Sequence, residues 1–301
     1  MADVTAGQAP PPLANIAADR LQEAESGPRI PIVYGSCTRQ GLDHENEDRI
    51  CISDHDDFMF FLVSDGHDGP EAASFAEQHL NWNTKRALDG SAQQDANDDV
   101  VTLDHALREG VLSTDSQFCQ KARRNGWTAG ACVAACALRG HHFAAASAGD
   151  CAVVYHDEHG EFGLLCHRHV ATDAAEAARI RACGGFIRDG RILGILAPSR
   201  GIGDTDVRDN CPGATIPDPH VQSRILPRKF VENGPPVFAV IGSDGVFDSL
   251  PLDVIVLSTK RVLLLNRQNP NRAEIAAKRI VKQCIPHTRD DISVVVVCFG
   301  P

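Results

Sequence analysis

The segment FMFFLV (residues 58–63) is apolar throughout and is followed by SDGHDG, which carries Asp65 and His67. The segment has no helical spacing, and a short continuous apolar run closed by glycines is typical of a strand buried on both faces. The segment VFAVIG (237–242) repeats this pattern before Ser-Asp-Gly, and DDISVVVVCF (290–299) has its acids in front of the apolar run. Three buried strands with carboxylates at their ends predict one acidic site assembled from distant parts of the chain.

The composition is that of an ordinary globular protein: 301 residues, 43% hydrophobic and 23% charged. The net charge of −11 argues against general binding to nucleic acid or to anionic membranes, because both need basic surfaces. No apolar run is long enough to cross a bilayer. We expect a monomer with no nucleic-acid partner and no membrane insertion.

Eleven cysteines are scattered along the chain, and none forms a Cys-x-x-Cys pair. Cys132 and Cys136 have helical spacing but stand in an apolar stretch, which fits buried thiols better than zinc ligands. The odd count and irregular spacing favour a reducing compartment. We therefore expect a cytoplasmic and/or nuclear protein.

Residues 1–29 contain four prolines and few bulky apolar side chains, which predicts a loosely ordered tail before one domain of residues 30–301. Polar residues 89–99 are predicted as a loop, and the Gly-, Pro- and Asp-rich residues 198–228 as a long irregular surface loop, a candidate flap. Helices are predicted over 70–88, 102–124, 174–182 and 271–284, the last two capped by Asp173 and Asn271. Strands are predicted over 32–37, 49–52, 58–64, 129–138, 143–148 and 152–155.

The predicted elements run as strands, two helices, more strands, a helix, strands, a helix and a strand. Consecutive strands are joined by short turns and do not alternate strictly with helices. This order favours antiparallel sheets with helices packed outside over a doubly wound parallel sheet.

Nine acids lie at predicted strand ends or tight turns. Two unit charges about 4 Å apart repel by about 4 kcal/mol at an effective dielectric near 20, so clustered carboxylates must take up protons or bind cations. All-oxygen ligands select Mg²⁺, Mn²⁺ or Ca²⁺, and two ions sharing a carboxylate can direct a hydroxide at phosphorus while His67 protonates the leaving oxygen. Each acid taken alone fits a turn or cap residue better than a metal ligand, because Asp-Gly is common in turns. The acids are Glu47, Asp48, Asp65, Asp150, Asp204, Asp244, Asp248, Asp290 and Asp291.

Seven short motifs occur in the order known from one family. They are Glu47-Asp48, FFLVSDGHDG (60–69), GWTA (126–129), SAGDC (147–151), the E-x-x-R-I to ILAPSRGIGD segment (176–204), residues 241–248 and residues 290–297. Together they resemble the metal-dependent protein serine/threonine phosphatases of type 2C (PPM), over residues 32–299. The resemblance implies an α+β fold: a four-layer α/β/β/α sandwich of two antiparallel sheets packed face to face, with helices outside both.

The resemblance also implies a role for each site residue. Two Mn²⁺ or Mg²⁺ ions are expected, with a weaker third position, and phosphoproteins are the expected substrates. The implied metal ligands are Asp65 as the bridge, Glu47 and the Gly66 carbonyl for one ion, Asp244 with Asp290 for the other, and Asp150 with Asp244 for the third. Asp48 is implied to orient the water, and His67 to act as the general acid. Arg39 is the nearest candidate for the arginine that binds substrate phosphate, across a longer loop than usual.

The sequence departs from the family pattern at Asp68, Trp127, Cys151 and Asp291. None of these changes removes a core metal ligand, so hydrolysis of phosphoserine and phosphothreonine is the expected activity. An inactive family member that acts as a phosphoprotein-binding scaffold is the alternative. A plain calcium-binding domain is disfavoured because the chain lacks EF-hand spacing.

Overall fold

The computed structural model describes residues 18–91 and 102–300. The helices of this part of the chain are α1 (Ala18–Glu25), α2 (Glu71–Ser91), α3 (Leu103–Asn125), α4 (Ala174–Ala182), α5 (Thr205–Asn210), α6 (Asp244–Phe247), α7 (Leu252–Leu265) and α8 (Arg272–Cys284). The strands are β1 (Ile32–Arg39), β2 (Arg49–Asp54), β3 (Met59–His67), β4 (Gly130–Arg139), β5 (His142–Ala148), β6 (Ala152–His156), β7 (Phe162–Leu164), β8 (Ile187–Arg188), β9 (Arg191–Ile192), β10 (Ile202–Gly203), β11 (His220–Ile225), β12 (Val237–Gly242) and β13 (Ile292–Phe299).

Two antiparallel sheets form the centre of the fold. One has the strand order β1-β13-β12-β6-β7, and the other has the order β11-β5-β4-β3-β2, with β10 paired to the end of β4. Within the described residues, β8 and β9 pair separately as a short hairpin. The pairs β2–β3, β4–β5 and β6–β7 are joined by turns, and all neighbours in the two sheets pair antiparallel, which confirms the arrangement that the element order predicts.

The alternation of side chains along each central strand explains why its sequence is apolar throughout. In β3, Phe60 and Leu62 pack against the layer of α2 and α3, whereas Phe61 and Val63 point between the two sheets. Successive side chains of a strand point to opposite faces, so a strand covered on both faces needs apolar residues at every position. Each buried phenylalanine contributes about 2 kcal/mol of transfer free energy.

The same alternation in β12 and β13 gives each of these strands one face toward the other sheet and one face toward α7 and α8. Ile241 and Val295 point between the sheets, and Val240 and Val296 point toward the helices. The layers are therefore helix, sheet, sheet and helix, and the predicted α+β sandwich is confirmed. Cys132 and Cys136 are free thiols buried between the sheets, as their apolar surroundings predict.

The predicted tail extends too far along the chain. Residues 1–17 lie outside the described residues, but Ala18–Glu25 forms α1, which buries Leu21 and Ala24. Glu25 accepts hydrogen bonds from Arg139 and from the backbone N–H of Leu103. The domain therefore includes the residues directly before β1, because the Glu25 carboxylate is bound by β4, by α3 and by His142 of β5.

The predicted flap is not one irregular loop. Residues 198–228 contain β10, α5 and β11, and β11 pairs along its whole length with β5 at the edge of the six-stranded sheet. The residues of β11 are only half buried, so its apolar pattern is weak and sequence periodicity does not reveal it. Only the shorter connections in this segment are irregular.

Three smaller predictions also differ from the structure. The helix α7 was not predicted, because its run of Val, Ile and Leu resembles a strand. Asn271 makes no side-chain capping hydrogen bond at α8, whereas Asp173 caps α4 as predicted. Helix α2 continues through Ser91 into the predicted loop, and residues 92–99 lie outside the described residues. Across the described ranges, no helix combines the length and apolarity that a bilayer crossing requires.

Candidate metal centre

Three carboxylates from distant parts of the chain meet at one end of the two sheets. Asp65 lies near the end of β3, Asp150 in the turn between β5 and β6, and Asp244 at the start of α6 directly after β12. One ligand oxygen from each lies within 4.8 Å of the other two. The backbone N–H of Asp244 also points at Asp65 Oδ2, at 3.4 Å. The predicted convergence of these acids is therefore present in the fold.

The electrostatics of this three-carboxylate cluster are unfavourable for bare anions. Burial raises the pKa of Asp65 well above its usual range, and the charges of Asp244, Asp48 and Asp150 add to the effect. Burial, with the charges of Asp150 and Asp290, raises the pKa of Asp244 to about 7. Buried carboxylates so close together must share protons or bind cations. The all-oxygen donor set fits a hard divalent cation.

Asp48 lies beside the cluster and is almost completely buried. Its Oδ2 accepts a hydrogen bond from Ser243 Oγ at 3.0 Å, and Ser243 Oγ in turn accepts from the backbone N–H of Ser293 at 3.1 Å. Burial raises the pKa of Asp48 to about 7 despite these hydrogen bonds. Ser243, which precedes Asp244, thus connects Asp48 to the end of β12.

Glu47 and Gly66 are neighbours outside the three-carboxylate cluster. Glu47 Oε1 accepts a hydrogen bond from the backbone N–H of Gly69 at 3.0 Å. A Cβ on Gly66 would come within 2.7 Å of the Glu47 carbonyl oxygen, so the backbones approach too closely for any other residue there. The structure therefore brings the two expected ligands of one ion together, with the Glu47 carboxylate bound to Gly69.

Asp290 is the most exposed of the expected ligands, with 51% of its side chain accessible. It lies close enough to Asp244 to raise the pKa of that residue, but it is not part of the three-carboxylate cluster. Its Oδ1 accepts from the backbone N–H of Asp291 at 2.9 Å. Asp290 thus borders the cluster from the solvent side.

His67 is held by an acid that the motif does not reveal. His67 Nε2 lies 2.7 Å from Asp204 Oδ1, and Asp204 is buried after β10 in a left-handed backbone conformation, with φ of 52°. Burial alone would lower the pKa of His67, but the charge and hydrogen bond of Asp204 raise it. A side chain at Gly130 would collide with both groups, so glycine is required there.

Arg39 lies at the edge of the site without a defined partner. It is the last residue of β1 and pairs in register with Ile292, directly after Asp290 and Asp291. Among the described residues it makes no hydrogen bond or ion pair, and its side chain is exposed. The register therefore places Arg39 beside the strand that follows Asp290 and Asp291, but no contact with another described residue orients its side chain.

The family model for protein phosphatase 2C matches residues 32–292 of the chain. The chain belongs to the protein phosphatase 2C family. Its curated relatives include probable protein phosphatase 2C 30 of Arabidopsis thaliana, 29% identical over 99% of this chain and 74% of the relative. Another is probable protein phosphatase 2C 5 of the same plant, 30% identical over 81% of this chain but only 55% of the relative. Protein phosphatase 1L of Bos taurus is 28% identical over 79% of this chain and 63% of the relative.

Solved structures show the same fold. The serine-threonine phosphatase 2C from Toxoplasma gondii matches 91% of this chain and 97% of its own, with a TM-score of 0.71 and 18% identity. A sex determining protein of C. elegans matches 90% of this chain and 65% of its own, with a TM-score of 0.71 and 23% identity. Proteins of the phosphatase 2C family are metal-dependent hydrolases in general, which agrees with the acidic cluster at the strand ends.

Two residues of this phosphatase 2C site were not singled out by the sequence. Arg168 donates from Nε to the Asp150 carbonyl at 2.8 Å and from Nη1 to Asp248 Oδ1 at 2.6 Å, so it fixes the turn that presents Asp150. Ser243 holds Asp48. Asp204 was among the acids noted at strand ends, but its pairing with His67 spans 137 residues and no local pattern indicates it.

The departures from the phosphatase 2C pattern have structural explanations. Trp127 stacks on Phe118, with ring centroids 6.3 Å apart, and so fills the space beside α3. Asp68 adopts a left-handed φ of 58° and accepts a hydrogen bond from Thr128 Oγ1 at 2.8 Å. Cys151 is completely buried between the sheets.

The fourth departure, Asp291, organises the loop that carries Glu47. Its Oδ1 accepts from the backbone N–H of Gly41 and its Oδ2 from that of Glu47, both at 2.7 Å. An asparagine offers one oxygen to these two donors, whereas the carboxylate offers two. Asp291 is thus a positioning residue next to Asp290.

Proposed function

We propose that this chain is a protein phosphatase that removes phosphate from phosphoserine and phosphothreonine with the help of Mn²⁺ or Mg²⁺. The single observation that carries the proposal is the meeting of Asp65, Asp150 and Asp244 within 4.8 Å in a family of metal-dependent hydrolases. When bound, a pair of divalent cations supplies an activated water for in-line attack on phosphorus.

Different residues of this chain would hold the different cations. Asp65, near the end of the central strand β3 and within 4.8 Å of the ligand oxygens of Asp150 and Asp244, would contribute to both ion positions. Glu47 and the Gly66 carbonyl would complete one position, and Asp244 with Asp290 the other. Asp150 with Asp244 would form a weaker third position.

Asp48 would orient the attacking water, and His67 would donate a proton to the leaving oxygen. Asp48 is fixed by Ser243, so its carboxylate would accept a hydrogen bond from the attacking water. His67 keeps its proton to higher pH because of Asp204, and Nε2 is occupied by that carboxylate. The proton that passes to the leaving oxygen would therefore come from Nδ1. Arg39, at the end of β1, would bind the substrate phosphate.

The decisive experiment compares wild type with Asp244→Asn in a phosphopeptide assay with added Mn²⁺. Removing one charged ligand should lower kcat/KM by on the order of 100-fold or more. Asp253→Asn, an exposed acid in the first turn of α7, is the matched control and should keep full activity. No phosphate release by wild type with metal present, or undiminished release by Asp244→Asn, contradicts the proposal.

A scaffold without activity is the second candidate. The orientation of Glu47 toward Gly69 and the lack of a partner for Arg39 within the described part of the chain favour it. Calorimetry with Mn²⁺ distinguishes the two, since a catalyst should bind at two sites and a scaffold weakly or not at all.

Phosphoproteins are the proposed partners, and a monomer in the cytoplasm and/or nucleus is the proposed state. The support is the family of hydrolases to which the chain belongs and its eleven free cysteines. Sedimentation at micromolar concentration tests the monomer, and fluorescence microscopy of the tagged chain tests the compartment.

A further inference from the structure

Two cysteine sulfurs face each other in the segment between β7 and β11, and neither belongs to the three-carboxylate cluster. Cys183 directly follows α4 and Cys211 directly follows α5, and their Sγ atoms are 3.9 Å apart. Cys211 is buried in a small cluster with Ile180 and Val207, and Cys183 is half buried at its edge. Cys183 is therefore the more accessible residue of the pair, and Cys211 lies in the buried cluster beside it.

The backbone around the two sulfurs can adjust to a shorter distance. A disulfide requires an S–S distance of about 2.05 Å, so the sulfurs must approach by roughly 2 Å. Gly184 follows Cys183 with φ of 87° and has open space around it, and Gly213 has φ of 92° close to Cys211. Glycine at these positions permits backbone adjustment on both sides of the contact.

We propose that Cys183 and Cys211 form a modification site that peroxide converts reversibly into a disulfide. In the first step, the Cys183 sulfur attacks a peroxide oxygen, the O–O bond breaks, and a sulfenic acid and one water are produced. In the second step, the Cys211 sulfur attacks the Cys183 sulfur and a second water leaves. Overall, two thiols and one hydrogen peroxide give one disulfide and two waters. A dithiol reductant reverses the change by thiol–disulfide exchange.

The α5 side of the pair is held in place near Asp204. Helix α5 is anchored to α3 because Arg208 binds the buried Asp115, with Nη1 2.8 Å from each carboxylate oxygen. Asp115 also accepts from the backbone N–H of Gly203, directly before Asp204. The disulfide would therefore leave the Asp204 contact with His67 in place while it closes the chain between α4 and α5 into a loop.

Closing this loop should slow local opening of the segment. A crosslink removes conformational freedom from the opened state more than from the native state. Amide hydrogen exchange between residues 184 and 210 should therefore slow by about tenfold or more after oxidation. Disulfide formation requires no phosphatase activity, so it can be tested even if the proposed function fails.

The test uses the full chain treated with hydrogen peroxide, blocked with an alkylating reagent and digested with trypsin. Cleavage after arginine yields fragments 182–188 and 209–224, which carry one cysteine each. We expect these two fragments joined in the oxidised sample and separate after reduction. Cys183→Ser and Cys211→Ser should abolish the joined fragments. Cys51→Ser, which removes another half-buried thiol, should retain them.

Two results would contradict the proposal, and both are measured on the wild-type protein. The first is wild-type protein whose Cys183 becomes a sulfinic or sulfonic acid, or joins a different cysteine, while Cys211 stays alkylated. The second is a joined pair whose segment 184–210 exchanges as fast as in the reduced protein.

Discussion

Burial lowers the pKa of His67, and the Asp204 carboxylate, 2.7 Å from Nε2, makes the largest contribution that raises it, ahead of the charges of Asp150 and Asp68. We expect Asp204→Asn to lower the pKa of His67 because the opposite charge that favours the imidazolium is lost. An acid that donates a proton loses activity as the pH rises through its pKa. The alkaline limb of the pH–rate profile should therefore move to lower pH, and activity at neutral pH should fall about tenfold.

The control for this variant is Asp206→Asn, which removes a charge from the first turn of α5, the helix that begins directly after Asp204. It should leave the pH–rate profile in place. A profile of Asp204→Asn that keeps the wild-type alkaline limb would show that His67 is not the group that loses the proton.

Asp291 is predicted to act through the backbone that it holds. Asp291→Ala leaves the N–H groups of Gly41 and Glu47 without their acceptor and should lower the free energy of unfolding by roughly 2–3 kcal/mol. Urea unfolding in the presence of chelator measures this value without a contribution from metal.

Asp291→Asn separates the two effects of the carboxylate. It removes one of the two charges that, after burial, raise the pKa of Asp48, but it keeps one acceptor oxygen, so its loss should be about 1 kcal/mol or less. Equal losses in the two variants would assign the effect to charge and not to the hydrogen bonds.

At the scale of elements, α1 is held in place by a buried imidazole. His142 in β5 has Nδ1 2.7 Å from Glu25 Oε1 and Nε2 3.1 Å from Asp104 Oδ1, which joins α1, α3 and the sheet. Burial alone would lower the pKa of His142, but the hydrogen bonds of Asp104 and Glu25 raise it to about 9. The imidazolium is therefore the native form at neutral pH.

We expect His142→Gln to lower the free energy of unfolding by on the order of 3 kcal/mol near pH 6, since the buried Glu25 and the part-buried Asp104 both lose a cationic partner. A folded pKa of about 9 against an unfolded pKa of about 6.5 means that the contribution is complete below pH 6.5. It is lost as the pH rises through 9, so the variant and wild type should converge there.

Urea unfolding at several pH values between 6 and 10 measures both quantities for His142→Gln. The control His105→Gln changes an exposed histidine in the first turn of α3 and should match wild type throughout. A difference between His142→Gln and wild type that stays constant up to pH 10 would contradict the charged form.

The elements that the sequence predicts correctly are those whose burial produces a local pattern of apolar residues. The strand β3 is apolar at every position because helices cover one face and the other sheet covers the second. The strand β11 is half buried at an edge and α7 is rich in Val, Ile and Leu, so their patterns are absent or misleading. For such elements tertiary packing decides the conformation and local propensity does not.

At the scale of the whole molecule, metal binding and folding should be linked. Divalent cations bind the native state only, because Asp65, Asp150 and Asp244 meet only when both sheets are assembled. A cation at about 100 times its dissociation constant adds about 2.7 kcal/mol. Excess EDTA should therefore lower the melting temperature by roughly 4 °C relative to protein in Mn²⁺.

Thermal unfolding followed by circular dichroism measures this shift. Asp65→Asn is the matched variant, because it removes the expected bridging ligand and should melt at the same temperature with or without chelator. An unchanged melting temperature of wild type in excess EDTA would contradict convergence of the acids on a metal.

The sequence by itself determined which strands are buried on both faces and which acids lie at their ends. The reason is that the side chains of a strand alternate between its two faces, so burial of both faces requires apolar residues at consecutive positions in the chain. Only the tertiary structure decided which acids meet. Asp65, Asp150 and Asp244 form the cluster, whereas Glu47 is bound to Gly69 and Asp290 stands in solvent. The physical reason is that these distances depend on the register of strands in two sheets and on backbone hydrogen bonds to Asp291, which join residues up to 250 positions apart.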